Sequence, residues 1–210
     1  YDTLTEALGA ATEGQTVTLL RDIDNSVTDP DYKNGVNYSL EARTTLDGGG
    51  HTLSGHIGVY IPAEGATVRN VKFVDIHNET IVDKDTCEYY GWESKTGDQS
   101  AIYASGLTGT ATITGCTFDN IDWDAIQITP TKDSSIVITD NVFQHTNPTD
   151  TQLRYVHIQY TAGYLGVAIN GLTITDNQFY VTENTKDSFC SVGVWKVNKN
   201  TTTLKLNGNY

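Results

Sequence analysis

The chain has 210 residues, 38% of them hydrophobic and only 19% charged, which is long enough and apolar enough for one substantial core. Its 26 acidic residues outnumber 13 basic ones, and the formal net charge of −13 opposes binding to nucleic acid or to an anionic bilayer. Because no long apolar run is present, the sequence predicts no membrane insertion.

The first predicted element is a short helix within residues 1–14. Thr3 and Glu6 have the spacing of a capping box, and Leu4 and Leu8 fall on one helical face. A helix at this position would close the open end of a stacked hydrophobic core. The strand "QTVTLLRDI" and the glycine-rich segment "LDGGGHTLSG" follow it.

Later segments repeat one pattern of alternating apolar and polar residues, a turn and a phenylalanine. The copies are ATVRNVKF (66–73), ATITGCTF (111–118), SIVITDNVF (135–143), LTITDNQF (172–179) and the incomplete TLKLNGN (203–209). A constant motif at uneven intervals is typical of a solenoid whose similar coils are joined by loops of different lengths. The turn residues, Asp140–Asn141 and Asp176–Asn177 among them, suit a sharp bend, and we expect the phenylalanines to stack inside.

A second strand with strict period-2 alternation precedes each repeat. Its copies are GVYIP (58–62), AIYAS (101–105), AIQIT (125–129), YVHIQ (155–159) and SVGVW (191–195). The apolar set should point inward. Coils stacked in register would then place Tyr60, Tyr103, Gln127, His157 and Gly193 in one outward column. A second outward column would run from Pro62 through Gln159 to Trp195, and a third would hold Gly58, Ala101, Ala125, Tyr155 and Ser191.

Together these motifs resemble the right-handed parallel β-helix of the pectate-lyase-like superfamily, and more narrowly the β-helix modules of surface and secreted proteins of Gram-positive bacteria. The resemblance covers nearly the whole chain. It implies an all-β, right-handed parallel β-helix, with one domain over 1–210, a helical cap at 1–14, and inserted loops at 77–100 and 145–154. Because the last repeat halts in mid-coil, we expect the chain to be a segment of a longer protein. The superfamily contains lyases, hydrolases and non-catalytic adhesins, so the fold leaves the function open.

The outward columns and the 77–100 loop predict a binding surface rich in aromatic and amide groups. Aromatic rings stack on sugars and anchor protein interfaces, and amides bond to sugar hydroxyls. The candidate ligand-binding residues are Tyr60, Tyr103, Gln127, His157, Gln159, Trp195, Tyr89, Tyr90 and Trp92. The first hypothesis is therefore an extracellular, monomeric recognition module for a host glycan or a host protein. The plain alternatives are a solvated strand face and loop rings that pack back on the coil.

An enzyme is the second hypothesis, and a passive spacer of a surface protein is the third. Lyases of the superfamily need a carboxylate cluster for Ca²⁺ and a basic residue, and the related hydrolases need two or three aspartates. The nearest candidates are Asp122, Asp124, Arg154 and His157, but the outward columns hold no acid and no Lys or Arg. The sequence therefore favours a module without a catalytic site or cofactor, and Ca²⁺ would require Asp122 and Asp124 to act together.

Three cysteines leave at least one unpaired within the chain. Cys116 lies inside a repeat, where a small buried side chain is expected, and is predicted to be a core thiol. A disulfide between Cys87 and Cys190 would suit a secreted protein, but nothing in their spacing supports it.

Overall fold

The structure is a computed structural model that describes residues 1–26, 36–76, 100–121, 124–146, 154–159, 166–180, 190–198, 201 and 203–210. Its described part contains one helix, α1 (Leu4–Ala10), and three sheets of short strands. The predicted loops 77–100 and 145–154 lie almost entirely outside the described residues.

Sheet A contains the first strand of each repeat and two equivalent strands that precede the repeats in the chain. They are β1 (Thr16–Thr18), β4 (Thr45–Asp47), β7 (Thr67–Arg69), β10 (Thr110–Thr114), β13 (Ser135–Thr139), β16 (Gly171–Thr175) and β19 (Thr203–Lys205). Sheet B contains the strands that follow the bend after sheet A, and the last four of them carry the phenylalanines. They are β2 (Ile23–Asn25), β5 (Thr52–Gly55), β8 (Lys72–Ile76), β11 (Thr117–Ile121), β14 (Val142–Gln144) and β17 (Gln178–Phe179).

Sheet C contains the alternating strands. They are β3 (Val36–Ser39), β6 (Ile57–Ile61), β9 (Ile102–Leu107), β12 (Asp124–Pro130), β15 (Arg154–Gln159) and β18 (Cys190–Trp195). The chain visits sheets A, B and C in turn, and each strand pairs in parallel with the equivalent strands of the neighbouring coils. The fold is a right-handed parallel β-helix, as the sequence predicts, with the hand that parallel crossovers almost always take.

Each coil buries its apolar side chains in the interior, which is dominated by aliphatic residues and a stack of phenylalanines. Phe73 and Phe118 have ring centroids 5.1 Å apart, Phe118 and Phe143 4.8 Å, and Phe143 and Phe179 4.9 Å, all with nearly parallel planes. The predicted internal ladder is confirmed. The inward set of sheet C is also buried up to β15, but Val194 in β18 is 37% exposed because β18 is the last strand of that sheet.

The bend between sheets A and B has a left-handed residue followed by a buried one. Asp140 and Asp176 take φ values of 58° and 61°, as expected for turn residues. Asn141 and Asn177, predicted as part of the turn, are instead fully buried. Asn141 Nδ2 donates to the carbonyl of Ile113 (3.0 Å) and to Asn177 Oδ1 (3.0 Å), so the side chains form a ladder along the helix.

Cys116 occupies the same ladder position in the preceding coil. Its thiol is 1% exposed and approaches the carbonyl of Val68 at 3.8 Å, and burial raises the pKa of the thiol to about 12. The prediction of a core thiol is confirmed. Cys87 and the side chain of Cys190 lie outside the described residues, so their pairing stays a prediction.

Helix α1 covers the first coil, as the sequence predicts. The Thr3 hydroxyl accepts a hydrogen bond from the Glu6 N–H (3.2 Å), and the Glu6 carboxylate accepts one from the Thr3 N–H (3.3 Å), which completes the capping box. Leu4 and Leu8 are buried in the core. In the described ranges no helix has the length and apolar character needed to cross a membrane.

Candidate functional site

The outer face of sheet C holds the predicted column. Register partners connect Tyr60 to Tyr103, Tyr103 to Gln127, Gln127 to His157, and His157 to Gly193. Neighbouring strands of a sheet lie about 4.8 Å apart, so the column runs along the helix axis in steps of that length. The predicted line-up of these positions is confirmed. We call this column, together with the neighbouring outward column that runs from Pro62 through Gln159 to Trp195, the sheet C wall.

Two tyrosines form the beginning of the wall. The Tyr60 and Tyr103 ring centroids are 5.9 Å apart, and their planes are tilted by 36°. Both residues are half-buried, while the flanking Val59 and Ile61 point into the core. The two rings therefore contact each other and keep part of their surface exposed to solvent. A stacking or anchoring contact with a ligand needs such an exposed ring surface.

Gln127 follows the tyrosines in the third described position of the column. Its Oε1 accepts a hydrogen bond of 3.3 Å from the hydroxyl of Ser100, which is fully buried. This bond fixes the amide and leaves its NH₂ group as the donor for an outside partner. The sequence does not predict a role for Ser100. Ser100 lies two residues before Ile102, and Asp124 lies two residues before Ile126, the register partner of Ile102. A polar residue at the same position in two successive coils is the signal that could have identified Ser100.

The far end of the wall is occupied by Trp195. Trp195 is 40% exposed and is the register partner of Gln159. The side chains of His157 and Gln159 lie outside the described residues, as do Tyr89, Tyr90 and Trp92. The structure thus brings together the backbone positions of the strand residues, and the contribution of the 77–100 loop stays a prediction.

The third predicted outward column is wrong. Gly58, Ala101, Ala125 and Tyr155 are all buried, although the alternation placed them outside. They follow the corner at which the chain enters sheet C, and there the side chains turn inward. Tyr155 packs against Phe143 and Phe179 with centroid distances of 5.4 Å and 6.1 Å, and its hydroxyl donates to the Tyr180 carbonyl (2.6 Å). The wall is therefore one column narrower than predicted.

The residues proposed for the enzyme alternative do not form an exposed group in the described part of the chain. Asp124 is fully buried and is the register partner of Arg154. Asp122 and the side chain of Arg154 lie outside the described residues. A substrate on the outer face would not reach the Asp124 carboxylate. No group of three or more His, Cys, Asp or Glu side chains suited to a metal ion occurs among the residues that the structure describes.

A further carboxylate, Asp119, lies on sheet B and already has its hydrogen-bond partners. It accepts bonds from Gln144 Nε2 (2.9 Å) and from the Thr146 N–H (3.0 Å) and hydroxyl (3.1 Å). Asp119 is only 9% exposed. These contacts tie the fourth coil to the fifth, and we assign Asp119 a structural role.

The sheet C wall differs chemically from the outer face of sheet A, although both are strand faces of one helix. The outward positions of sheet A are mostly threonine: Thr16, Thr18, Thr45, Thr67, Thr110, Thr112, Thr114, Thr139, Thr173, Thr175 and Thr203. Threonine is what strand propensity favours on a solvated face. On the wall the described column residues are instead Tyr60, Tyr103, Gln127 and Gly193, with no charged side chain among them. Strand propensity favours tyrosine as well as threonine, so what distinguishes the wall is the larger contact surface that its rings and amide offer.

Four of the longer connections of the chain, including the longest, join sheet B to sheet C. The strand ends that flank 27–35, 77–99, 147–153 and 181–189 lie at this corner in the first, third, fifth and sixth coils. The ends of the four segments therefore emerge along one edge of sheet C. Loops on a rigid scaffold are where recognition residues concentrate.

Comparison with protein-family models, with curated proteins and with solved structures finds no match to this chain. The fold and the chemistry of the wall are therefore the basis on which a function can be assigned.

Proposed function

We propose that this chain is a non-catalytic recognition module of the pectate-lyase-like β-helix type from an extracellular or surface protein of a Gram-positive bacterium. Its sheet C wall binds a host glycan or a host protein. The observation that carries the proposal is the register of Tyr60, Tyr103 and Gln127, which places two rings and an amide in one uncharged column.

The chemistry of the column suits such a ligand. Rings stack on the apolar faces of sugars or anchor a protein partner, and the Gln127 amide, held by Ser100, donates to a hydroxyl or carbonyl group. The net charge of −13 and the absence of described charged groups on the column favour a ligand that is not strongly anionic. Tyr89, Tyr90 and Trp92, in the segment that enters sheet C before Tyr103, would extend the contact.

The burial of Asp124 favours recognition over catalysis. An acid or base must reach the proton that it transfers, and a fully buried carboxylate does not reach a ligand on the outer face. The enzyme alternative would therefore depend on Asp122, Arg154 and His157 alone.

The experiment is binding of the purified protein to an array of immobilised glycans and to a panel of immobilised extracellular-matrix proteins. The Tyr103→Ala/Trp92→Ala variant should lose the signal of the wild type, while its melting temperature falls by no more than about 2–4 °C, the effect expected from losing the Tyr60–Tyr103 ring contact. Tyr180→Ala is the matched control, because Tyr180 is an exposed tyrosine (53%) that follows sheet B.

Three outcomes would overturn the proposal. Absence of any wild-type signal favours a passive spacer. A signal that the double variant retains places the ligand elsewhere. Cleavage of a uronate polymer by the wild type in the presence of Ca²⁺ supports the enzyme hypothesis instead.

A further inference from the structure

Gly193 occupies the sixth-coil position of the column that holds Tyr60 and Tyr103. A glycine in a strand interior weakens the strand and often marks a place where another group approaches the backbone closely. Gly193 has an ordinary backbone conformation for a strand, so a left-handed turn does not account for it. Another group must therefore explain the missing side chain.

The group that approaches is the indole of Trp195. A Cβ atom built on Gly193 would collide with Cζ3 and Cη2 of this ring. The side chain of Trp195 therefore folds back along β18 and lies over Gly193, where the column would otherwise carry the side chain of residue 193. Gly193 is itself buried, while Trp195 stays 40% exposed.

We propose that Gly193 is a positioning residue whose bare backbone seats Trp195 in the Tyr60–Tyr103 column, so that the aromatic surface of the wall extends to the sixth coil. This inference rests on the proposed function of the wall. Holding a large ring in place before binding reduces the conformational entropy that the contact costs, which is how a fixed aromatic residue contributes to affinity.

The position of the Trp195 ring also sets the minimum length of a ligand that contacts the whole column. Tyr60 lies in the second coil and Gly193 in the sixth, so the two ends of the column are four strand spacings or about 19 Å apart. A ligand that contacts both ends must reach about 19 Å along the helix axis, which a single sugar unit does not do and a linear oligosaccharide lying along the column does.

The experiment compares Gly193→Ala, Trp195→Ala and their double variant on the same glycan array and matrix-protein panel. Gly193→Ala and Trp195→Ala should each weaken binding about tenfold or more. The double variant should be no worse than Trp195→Ala, because a residue that acts only through the ring has nothing left to position. Gly171→Ala is the matched control, since this glycine lies on a strand of the same coil and its Cβ would meet only ordinary contacts at 3.8–3.9 Å.

A spectroscopic readout separates positioning from loss of fold. In a Trp92→Phe/Trp123→Phe background, Trp195 is the one remaining tryptophan. Gly193→Ala should shift its emission to longer wavelength and increase its quenching by acrylamide, while the melting temperature stays close to that of Gly171→Ala.

The possible failures are distinguishable. If Gly193→Ala leaves the emission unchanged, Gly193 does not position the ring. If it shifts the emission but binds as the wild type, the positioned ring does not contribute to binding, and in both cases the proposed function stands. If Gly193→Ala and Trp195→Ala weaken binding additively, Gly193 does not act through the ring. If Tyr103→Ala/Trp92→Ala also binds as the wild type, the proposed function itself fails.

Discussion

Tyr60 and Tyr103 are register partners on neighbouring parallel strands, and their ring centroids lie 5.9 Å apart even though an entire coil separates them in the chain. The position of each ring therefore depends on its contact with the neighbouring strand as well as on its own strand. This pair is the smallest part of the sheet C wall in which the effect of a ring on binding can be separated from its effect on stability.

Tyr60→Ala should weaken binding to the array ligands about tenfold, because the variant removes one ring of the pair. Its free energy of unfolding should fall by only about 1 kcal/mol, the usual size of an aromatic pair contact. Tyr60→Phe is the control, since it keeps the ring and removes only the hydroxyl. Equal loss of binding in both variants would show that the hydroxyl, not the ring, contacts the ligand.

Asn141→Ala should destabilise the fold much more than a surface substitution. The Asn141 side chain is fully buried, accepts a hydrogen bond from the Cys116 N–H (2.9 Å) and donates to the Ile113 carbonyl (3.0 Å). The variant leaves these backbone groups without partners, at a cost of about 1–3 kcal/mol each. Urea unfolding measures the loss, and Asn207→Ala, at an exposed position, is the control. A change below about 1 kcal/mol would mean that the ladder does not stabilise the coils.

Cys116→Asn should stabilise the protein by about 1 kcal/mol, since it extends the asparagine ladder by one coil. The thiol of Cys116 reaches the Val68 carbonyl only at 3.8 Å, whereas Asn177 Nδ2 reaches the equivalent Ile138 carbonyl at 3.0 Å. An amide at position 116 would replace the weak contact with a full hydrogen bond. Cys116→Ser, which keeps the size but cannot reach as far, should not stabilise. A lower urea midpoint for Cys116→Asn would show that the core does not accept the larger side chain.

Acid should destabilise the protein partly through Asp47. The Gly49 N–H, followed by Asn70 and Arg69, lowers the pKa of the Asp47 carboxyl below its ordinary value of 3.8. A lowered folded-state pKa means that the stabilisation is complete above the unfolded pKa and is lost as the pH falls through the folded pKa. We therefore expect the urea concentration at the midpoint of unfolding to decrease as the pH is lowered from about 5 to about 2, the range in which carboxyl groups become protonated.

Asp47→Asn should make that decrease smaller, because it removes one of the titrating groups. Asp22, whose pKa is lowered by the Thr52 N–H and by His51, retains its part of the decrease in this variant. Unfolding curves at several pH values measure both effects. An identical pH dependence in the wild type and in Asp47→Asn would contradict the assignment.

The sequence predicts at least two stacked strands in each coil, because most inward residues of the repeats are apolar, and the division into sheets A, B and C comes from the structure. It does not distinguish the roles of Asp140 and Asn141, since both are polar residues that favour turns. In the structure Asp140 takes the left-handed conformation and Asn141 is buried in the ladder. The third column fails for a related reason. Period-2 alternation assumes a straight strand, and Ala101 and Ala125 lie at a corner.

The pattern of residues along the chain was enough to predict the coil: the repeated strands, most of the apolar side chains of the core, the start of α1 and the polar residues at the bends. These features depend on residues close together in the chain. Which side chains meet across coils follows from the folded structure, because connections of unequal length separate the partners in the chain and the hydrogen-bonded register between coils brings them together. That is why Tyr103 lies beside Tyr60, why Asp124 is withdrawn from the surface and why Trp195 lies over Gly193.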